Sequence, residues 1–383
     1  MKERYFNVSK KIYQWKFDTP FENWLAYKAD KSEFWKKLYL LYYRVRDAKY
    51  YRAGYEMANK VIDKYVPYSI LKIESEAQRK VLLYDMIYSL HRFGASFEEY
   101  FIFEFYNKNT FGRESFNTLK MHYGYCDIAN KDNIREIFED KGKSYEIFKD
   151  FYKRELIVFN NKTQLEDFDE FIKRHGSFII KPYNGHSGMG IHIVRSISEK
   201  DAVALFYKQL ALGPFVVEEL IEQGDEMAKL HPQSINTLRI VTFKTKEDIR
   251  IIGSSIRIGV GGANVDNAGA GGIYASIDYT HGFINSVAFN YLGEMYSIHP
   301  DTKIPIPGFH IPEWNEVVKL VTNLAKVIDG ATMISWDLAY GKKGWLMIEG
   351  NDVGGASTYQ APYQRGRKHI ILDLLDEYIR EQN

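Results

Sequence analysis

Three oxygen-bearing side chains near the end of the chain have the types and spacing of a divalent-cation site. Glu349 and Asn351 lie two residues apart in an apolar run, so they share one face of a predicted strand. Asp337, in the preceding apolar run, joins that face only if the connecting turn has an odd number of residues or a bulge. Oxygen ligands without cysteine or spaced histidines favour Mg2+ or Mn2+ over zinc. Because protein-bound magnesium takes further ligands from water and nucleotide phosphates, this site calls for a phosphate-binding loop.

A glycine-rich loop earlier in the chain has the properties of that phosphate-binding loop. It separates two short apolar runs, which predicts a strand, a loop and a second strand, with Lys181 ending the first strand. The loop glycines leave backbone N–H groups free to contact a phosphate. The alternative is a surface hairpin that needs glycine only for its positive φ angles. The loop residues that we assign to nucleotide binding are Gly185, His186, Ser187, Gly188 and Gly190.

Two arginines lie on a predicted β-hairpin formed by residues 236–243 and 249–258. Arg239 and Arg257 are the candidates for stabilising a transferred phosphoryl group, the alternative being exposure on an outer face. The hairpin leads into a second glycine-rich loop, residues 259–272, which contains Asp266 and Asn267 and is predicted to cover the substrate. The residues that we assign to substrate binding are Asn236, Asp266, Asn267, Gly271 and Gly272.

The elements around these residues are predicted from their periodicity and capping signals. Residues 1–109 have a helical pattern rich in Tyr and Phe, with an apolar stripe at Phe34, Leu38, Leu41 and Val45. Clustered aromatic residues of this kind favour a core over a ligand platform. Ser96 and Glu99 form a predicted capping box. A capped helix over 198–212 and a buried strand over 215–220 follow the first glycine loop.

Composition limits the classes of function that the chain can have. Hydrophobic residues make up 45% and charged residues 26%, as in a globular protein, and the formal charge of +1 provides no general attraction for nucleic acid. The single cysteine, Cys126, excludes an intramolecular disulfide and a cysteine-cluster metal site. The first residues have no apolar signal region, and no stretch has the length of a membrane span, so we expect a cytoplasmic location.

Taken together, these motifs resemble the ATP-grasp superfamily, and most closely its sugar-transfer-associated branch. The resemblance covers roughly residues 140–360 and rests on six motifs in the right order. They are Ile180-Lys-Pro with the first glycine loop, Val217-Glu-Glu, His231-Pro with Ser234-Ile-Asn-Thr-Leu-Arg239, Val265-Asp-Asn with Gly271-Gly272, His299-Pro-Asp-Thr302, and Trp336-Asp337 with Ile348-Glu-Gly-Asn351.

The resemblance implies an α+β ATP-grasp fold in which two lobes hold ATP, preceded by a mainly helical N-terminal region. The implied regions are 1–110 for the helices, 111–175 for a linker, 176–225 for the lid lobe and 226–383 for the metal and substrate lobe. Lys181 and Lys141 would contact the nucleotide phosphates. Adenine would be held by Glu218, Glu219 and Leu220, the ribose by Asp225 or Glu226, and Mg2+ by Asp337, Glu349 and Asn351. Many ATP-grasp ligases have an arginine just before the metal aspartate, where Ser335 and Trp336 stand here, so Arg239 and Arg257 are the substitutes.

Three functions are compatible with the sequence. The first is an ATP-dependent ligase that joins a carboxylate to an amine through an acyl phosphate, in cell-surface polysaccharide or glycopeptide assembly, on small-molecule or glycan-linked substrates. The second is a kinase on the same scaffold, acting on a sugar or polyol. The third is a nucleotide-binding module without catalysis, which the intact metal ligands disfavour. The sequence leaves open whether the helical region completes the acceptor site, binds a carrier enzyme or mediates self-association.

Overall fold

The computed structural model describes residues 20–183, 190–262, 266 and 271–382. Five predicted site residues, Gly185, His186, Ser187, Gly188 and Asn267, lie outside these residues. No helix in the described ranges is long and apolar enough to cross a membrane. Two antiparallel sheets, one of four strands and one of eight, follow a helical N-terminal region.

Before the first strand, the described residues form helices joined by short loops. The predicted capping box is present, because Ser96 Oγ accepts from Glu99 N and the Glu99 carboxylate accepts from Ser96 N. The helices are α1 (Pro20–Ala29), α2 (Glu33–Arg46), α3 (Ala48–Tyr65), α4 (Glu76–Phe93), α5 (Phe97–Ile102), α6 (Thr110–Glu114), α7 (Leu119–Ala129), α8 (Ile134–Glu139) and α9 (Lys141–Tyr152).

Helix α2 forms where its periodicity predicts, but its inner face differs from the predicted one. Tyr39, Leu40 and Tyr43 are buried, whereas Phe34, Leu41 and Val45 of the apolar stripe face outward. The prediction that the aromatic residues of this region form a core is confirmed, but the exposed part of the stripe lies outside that core. The reason is that α2 is apolar on two faces, and periodicity alone does not select the face that meets the neighbouring helices.

The smaller sheet has the strand order β1-β4-β2-β3, with two helices packed on one face. The predicted boundary at residue 176 lies inside this sheet, because β1 precedes it. Phenylalanines from both layers form its core, among them Phe159, Phe168 and Phe206. Its elements are β1 (Leu156–Phe159), α10 (Leu165–His175), β2 (Phe178–Pro182), β3 (His192–Val194), α11 (Glu199–Leu212) and β4 (Phe215–Glu219).

The larger sheet has the order β10-β9-β7-β6-β5-β11-β12, with β8 paired to β7. One face packs against helix Trp314–Lys326, and the other packs against α7 and the C-terminal helix. The elements are α12 (Asp225–Ala228), β5 (Thr237–Lys244), β6 (Ile249–Ile258), β7 (Ile273–Asp278), β8 (Phe283–Ile284), β9 (Ala288–Phe289), β10 (Met295–Tyr296), α13 (Trp314–Lys326), β11 (Met333–Gly341), β12 (Gly344–Asn351) and α14 (Lys368–Gln382).

The helical N-terminal region packs directly onto the larger sheet. Its aromatic core includes Tyr274 of β7 and Phe289 of β9. A reciprocal amide contact fastens the same region to the segment after β12, since Gln360 accepts from Asn117 N at 2.9 Å and donates to Asn117 O at 2.9 Å. Tyr274 is the strand partner of Arg257, so the helical region reaches the sheet one residue pair from a predicted catalytic arginine.

Candidate active site

The three predicted metal ligands lie on neighbouring positions of β11 and β12, and a β-bulge brings them together. Without the bulge, the pairing of Leu338 with Met347 would place Glu349 opposite Trp336, whose ring is buried on the other face. The extra residue, Ile348, shifts the register so that Asp337 is the partner of Glu349. The condition that the sequence set for Asp337 is thus met by a bulge.

The oxygen ligands of this group differ in how they are satisfied. Asp337 is buried, whereas the Glu349 side chain is exposed and has no hydrogen bond or ion pair among the described residues. Asn351 Nδ2 is buried and also lacks a hydrogen-bond partner within the described part of the chain. The pKa of Glu349 is raised because surrounding protein desolvates the carboxylate and Asp337 repels its charge.

Asp337 is held by both of the predicted catalytic arginines. Arg239, its partner on β5, donates from Nε to Asp337 Oδ1 at 2.8 Å and from a terminal nitrogen to Oδ2 at 2.7 Å. A terminal nitrogen of Arg257, on β6, lies 2.8 Å from Asp337 Oδ2. Burial opposes ionisation of Asp337, but the two guanidinium charges outweigh it and hold the pKa far below its usual range.

Lys181 belongs to a second charged group, on the smaller sheet. Its ammonium lies 2.7 Å from Glu218 Oε1, and Arg154 donates to Glu218 Oε2 at 2.8 and 3.1 Å. Burial raises the pKa of Glu218, but these two cations outweigh burial and lower the pKa to about 2. Sequence reasoning missed Arg154. The only available signal was the charged run before β1, which reads like an ordinary solvated turn.

The two charged groups, one on each sheet, are close enough for their charges to interact, and we call the region between them the cleft. Lys141 at the start of α9 donates to Tyr183 O at 2.7 Å, and the charges of Glu349, Lys181 and Glu218 all act on it. Burial is the main reason that the pKa of Lys141 is lowered. The charge of Lys181 likewise acts on Glu349. The charges of four predicted residues, Lys141, Lys181, Arg239 and Arg257, therefore interact with that of Glu349 in this region.

Gly190 ends the first glycine loop in a conformation that favours glycine. Its φ angle is +74°, and a β-carbon there would lie 2.8 Å from Pro182 Cγ. Gly190 therefore lies close against Pro182, at the end of the strand that carries Lys181.

The predicted adenine-binding stretch lies at the end of β4. The Glu218 main chain lies between β1 and β2, and Glu219 bonds reciprocally with the Glu155 main chain, so both are already engaged. Leu220 follows the strand, and its main-chain groups have no hydrogen-bonded partner among the described residues. Beyond it, the chain pairs with the turn after β11, and the predicted ribose residues Asp225 and Glu226 are exposed on α12.

Two of the predicted substrate residues, Asn236 and Asp266, are buried. Asn236 is buried, where its Nδ2 donates to Gln223 Oε1 and to the Met227 and His231 carbonyls, so it braces the chain beneath the cleft. Asp266 is also buried and accepts from both Thr237 N, at 2.9 Å, and the Thr237 hydroxyl.

Histidines fix the base of the second glycine loop. His299 Nε2 contacts Gly259 O at 2.8 Å, and His231 Nε2 contacts Gly261 O at 3.0 Å. Asp301 accepts from Gly261 N at 2.6 Å. Gly271 is exposed at the loop's far end, and Gly272 is buried. The histidine motifs thus position a loop rather than contribute side chains to the cleft.

Comparison with known proteins defines the class of protein that this fold and cleft represent. The profile of the sugar-transfer associated ATP-grasp family matches residues 120–374. The chain therefore belongs to the sugar-transfer associated ATP-grasp family, and the predicted α+β ATP-grasp fold is confirmed. A search of curated proteins gives no match.

Several solved structures of ATP-grasp ligases are similar to this chain. The ligase PsnB with its minimal precursor is 15% identical, over 66% of this chain and 64% of that one, with a TM-score of 0.40. The D-alanyl-alanine synthetase A of Vibrio cholerae is 12% identical over 64% and 66%, with a TM-score of 0.40. The VanG D-Ala:D-Ser ligase of Enterococcus faecalis is 14% identical over 67% and 65%, with a TM-score of 0.42. The match spans just under two thirds of the length of each of these ligases.

Proposed function

We propose that this protein is an ATP- and Mg2+-dependent ligase that joins a carboxylate to an amine. The observation that carries the proposal is the arrangement of charges across the cleft. The charges of Lys141 on α9, of Lys181 on the smaller sheet and of the two arginines act on a carboxylate, Glu349, that has no hydrogen bond or ion pair among the described residues. Cations facing unsatisfied oxygen ligands suit a polyphosphate accompanied by a divalent metal.

The residues present fit magnesium. Glu349 supplies a carboxylate that has no competing partner within the described ranges, and Asn351 would bind the ion through its amide oxygen, Oδ1, whereas the Asn351 atom that is buried without a partner there is the donor Nδ2. Asp337 would be the third ligand while it also holds the arginines, since each carboxylate oxygen has two lone pairs. When bound, the ion supplies charge neutralisation at the nucleotide phosphates.

We assign the remaining groups by what they can reach. Lys181 and Lys141 hold the phosphates, and the first glycine loop covers them with backbone N–H donors. The free main-chain groups of Leu220 hold the adenine. Arg239 and Arg257, oriented by Asp337, stabilise the charge on the transferred phosphoryl group.

The proposed reaction has two steps. A substrate carboxylate oxygen attacks the γ-phosphorus, and the bond from that phosphorus to the β–γ bridging oxygen breaks, releasing ADP and leaving an acyl phosphate. The amine nitrogen then attacks the acyl carbon, the bond from carbon to the phosphate oxygen breaks, and the nitrogen loses a proton. The products are an amide, ADP and inorganic phosphate.

The substrates that we propose follow from the family description, which associates the fold with sugar transfer. They are a small-molecule or glycan-linked carboxylate and an amine, used in making a cell-surface polysaccharide or glycopeptide. Because ATP is consumed, the proposed compartment is the cytoplasm. We also propose that copies of this chain associate with one another.

Isotope transfer tests the acyl-phosphate step directly. Purified protein is incubated with ATP, Mg2+, and pools of 18O-labelled carboxylic acids and of amines, and products are analysed by mass spectrometry. We expect ADP only with a matching pair, an amide product, and one 18O atom in the released phosphate. The Glu349→Gln variant is the control for a contaminating ATPase.

Two outcomes would replace this proposal. A stable phosphomonoester on a hydroxyl substrate, without amide, would indicate a sugar or polyol kinase. A protein whose melting temperature does not respond to Mg2+ and ATP would be an interaction module, because a ligand that binds the folded state must stabilise it.

A further inference from the structure

Helix α2 presents an apolar stripe to solvent that no described residue covers. Phe34 is 64% exposed, Leu41 52% and Val45 74%, and they lie at helical spacing on one side of the helix. The opposite side already packs into the core through Tyr39 and Tyr43. A second, outward-facing apolar stripe on a helix that is already buried on one side indicates an interaction surface.

Aromatic rings of α1 extend this stripe into a continuous surface. Phe34 packs against Trp35 at 5.7 Å between ring centroids, Trp35 against Trp24 at 5.3 Å, and Trp24 against Phe21 at 5.9 Å. We call the surface formed by Phe21, Trp24, Phe34, Trp35, Leu41 and Val45 the aromatic face. It is the outer side of two packed helices and not a groove, which suits a flat partner better than an inserted peptide.

The charge around the aromatic face is positive. Residues 20–49, which carry this face, contain seven Lys and Arg but four Asp and Glu, whereas the full chain has a net charge of only +1. Two of those acids are withdrawn from the surface: Glu22 is buried beside Arg46, and Asp30 is bound by Arg92 at 2.7 Å. Lys31, Lys37 and Arg44 remain exposed.

We infer that the aromatic face docks on the surface of a lipid bilayer that contains anionic phospholipids. Tryptophan and other aromatic rings favour the boundary between headgroups and acyl chains, and lysines beside them reach the phosphates. Lys28 lies over the Trp24 ring, at 5.9 Å from its centroid, which gives the required combination in one place. Attachment of this kind is peripheral and needs no membrane-spanning helix.

Charge also selects the bilayer over a second copy of the chain. Two copies meeting through this face would place their exposed lysines and arginines opposite one another, which is unfavourable. An anionic bilayer instead attracts each basic residue, by about 1 kcal/mol near the surface. This role goes beyond the proposed ligase activity and does not depend on it.

Vesicle flotation tests the docking with the full-length chain. Phosphatidylcholine vesicles are compared with vesicles of phosphatidylcholine and phosphatidylglycerol in equal parts, at low and high salt. We expect the protein to float with the anionic vesicles at low salt and to be released by salt. Absence of binding to the anionic vesicles would overturn the inference.

Matched variants localise the contact. The double variant Phe34→Glu/Val45→Glu should bind anionic vesicles at least about tenfold more weakly, because it removes apolar contact and adds repulsion. Leu212→Glu is the control, since Leu212 is 79% exposed on α11, outside the aromatic face. Circular dichroism checks that both variants fold. Equal binding by the double variant would contradict the inference, as would a wild-type dimer in light scattering that the same substitutions dissociate.

Tryptophan quenching by brominated phospholipid gives an independent readout. Trp24 is 45% exposed, whereas Trp314, Trp336 and Trp345 are buried and cannot contact lipid in the folded protein. We expect quenching with anionic brominated vesicles, and less quenching for Trp24→Phe. Quenching that is unchanged in the double variant Trp24→Phe/Trp35→Phe, which removes both tryptophans of the aromatic face, would rule out this face as the contact.

Discussion

Two regions of the molecule place carboxylates beside cations. In the helical region the carboxylate has hydrogen-bond partners on both oxygens, whereas the cleft also contains a carboxylate without a partner among the described residues. In the helical region, Asp85 accepts from Arg113 at 2.7 and 3.0 Å, from Lys36 at 2.6 Å and from the Tyr100 hydroxyl at 2.6 Å. In the cleft, Asp337 is satisfied in the same manner, but the neighbouring Glu349 has no partner among the described residues.

The difference separates a structural network from one arranged for a ligand. A buried carboxylate that is fully hydrogen-bonded stabilises the fold only while all its partners remain. An exposed carboxylate held next to another one gains nothing for stability, and the repulsion between Glu349 and Asp337 raises the pKa of Glu349. We therefore expect substitutions in the first network to change stability and substitutions around Glu349 to change nucleotide chemistry.

Arg113→Met should give the largest effect, and the effect should be on stability. Arg113 is buried, and its removal leaves the Asp85 charge with Lys36 as its only cationic partner. We expect a loss of about 3–5 kcal/mol in the free energy of unfolding, measured by urea denaturation. The affinity for ATP of the molecules that remain folded should not change.

Arg250→Ala is the matched control for that variant. Arg250 also binds a carboxylate, that of Glu377 at 3.0 Å, but Arg250 is exposed and Glu377 only half-buried. Its loss should cost less than about 1 kcal/mol. If both variants lost the same free energy of unfolding, the buried network would stabilise the fold no more than an exposed ion pair does.

Glu349→Gln should reduce turnover and leave stability almost unchanged, the reverse of what we expect for Arg113→Met. The side chain has no partner to lose among the described residues, so the free energy of unfolding should stay within about 0.5 kcal/mol of wild type. Turnover should fall by a factor on the order of 10² or more if the carboxylate positions the metal. The measurements are urea denaturation and ADP release.

Glu222→Gln provides the comparison for Glu349→Gln, because Glu222 is an exposed glutamate after β4 that pairs with Lys342. Its turnover should match wild type. Wild-type turnover in Glu349→Gln would remove the metal assignment, and a large loss of stability would mean that Glu349 belongs to a structural network.

The sequence predicted the strands of the site better than their pairing. Glu349 and Asn351 share a face by simple alternation, and the same rule required an odd-numbered turn or a bulge for Asp337 to join them, of which the structure has the bulge. The contact of Asp337 with Arg239 and Arg257 depends on the strand order β6-β5-β11-β12, which brings together residues about a hundred positions apart. Local patterns contain no information on such pairing.

In the helical region, too, contacts between residues close in sequence could be predicted, whereas contacts between helices could not. Capping of α5 by Ser96 and Glu99 was predictable because its partners are three residues apart. The orientation of α2 was not, because it depends on which of two apolar faces meets α4, a contact made by Tyr39 and Tyr88 at 5.4 Å.

Glu99→Gln tests a carboxylate of the helical region through pH. Burial raises the pKa of Glu99 to about 7, although the amides of Leu119 and Ser96 oppose the shift. Between the unfolded pKa of about 4.3 and this value, the folded state binds a proton that the unfolded state has lost, so stability falls as pH rises. Glutamine keeps the acceptor oxygen and removes that loss, which we expect to be on the order of 3 kcal/mol. Urea midpoints from pH 4 to 8 measure it, and parallel curves for both proteins would contradict the prediction.

Asn351→Ala should have the smallest effect on stability. It tests whether a side chain of the cleft that lacks a partner serves ligand binding, in contrast to the structural network around Asp85. Asn351 Nδ2 is buried without a partner among the described residues, so removing the amide should change the free energy of unfolding by less than about 0.5 kcal/mol. Asn130→Ala is the control, because that amide bonds Met333 O, Thr332 N and Met333 N and its loss should cost about 1–3 kcal/mol. In isothermal titration with Mg2+ and ATP, Asn351→Ala should bind about tenfold more weakly, as expected for loss of one metal ligand, while Asn130→Ala binds normally once folded. If Asn351→Ala instead lost stability and kept its affinity, the unsatisfied amide would be a defect of packing, and a missing partner would no longer distinguish the cleft from the helical network.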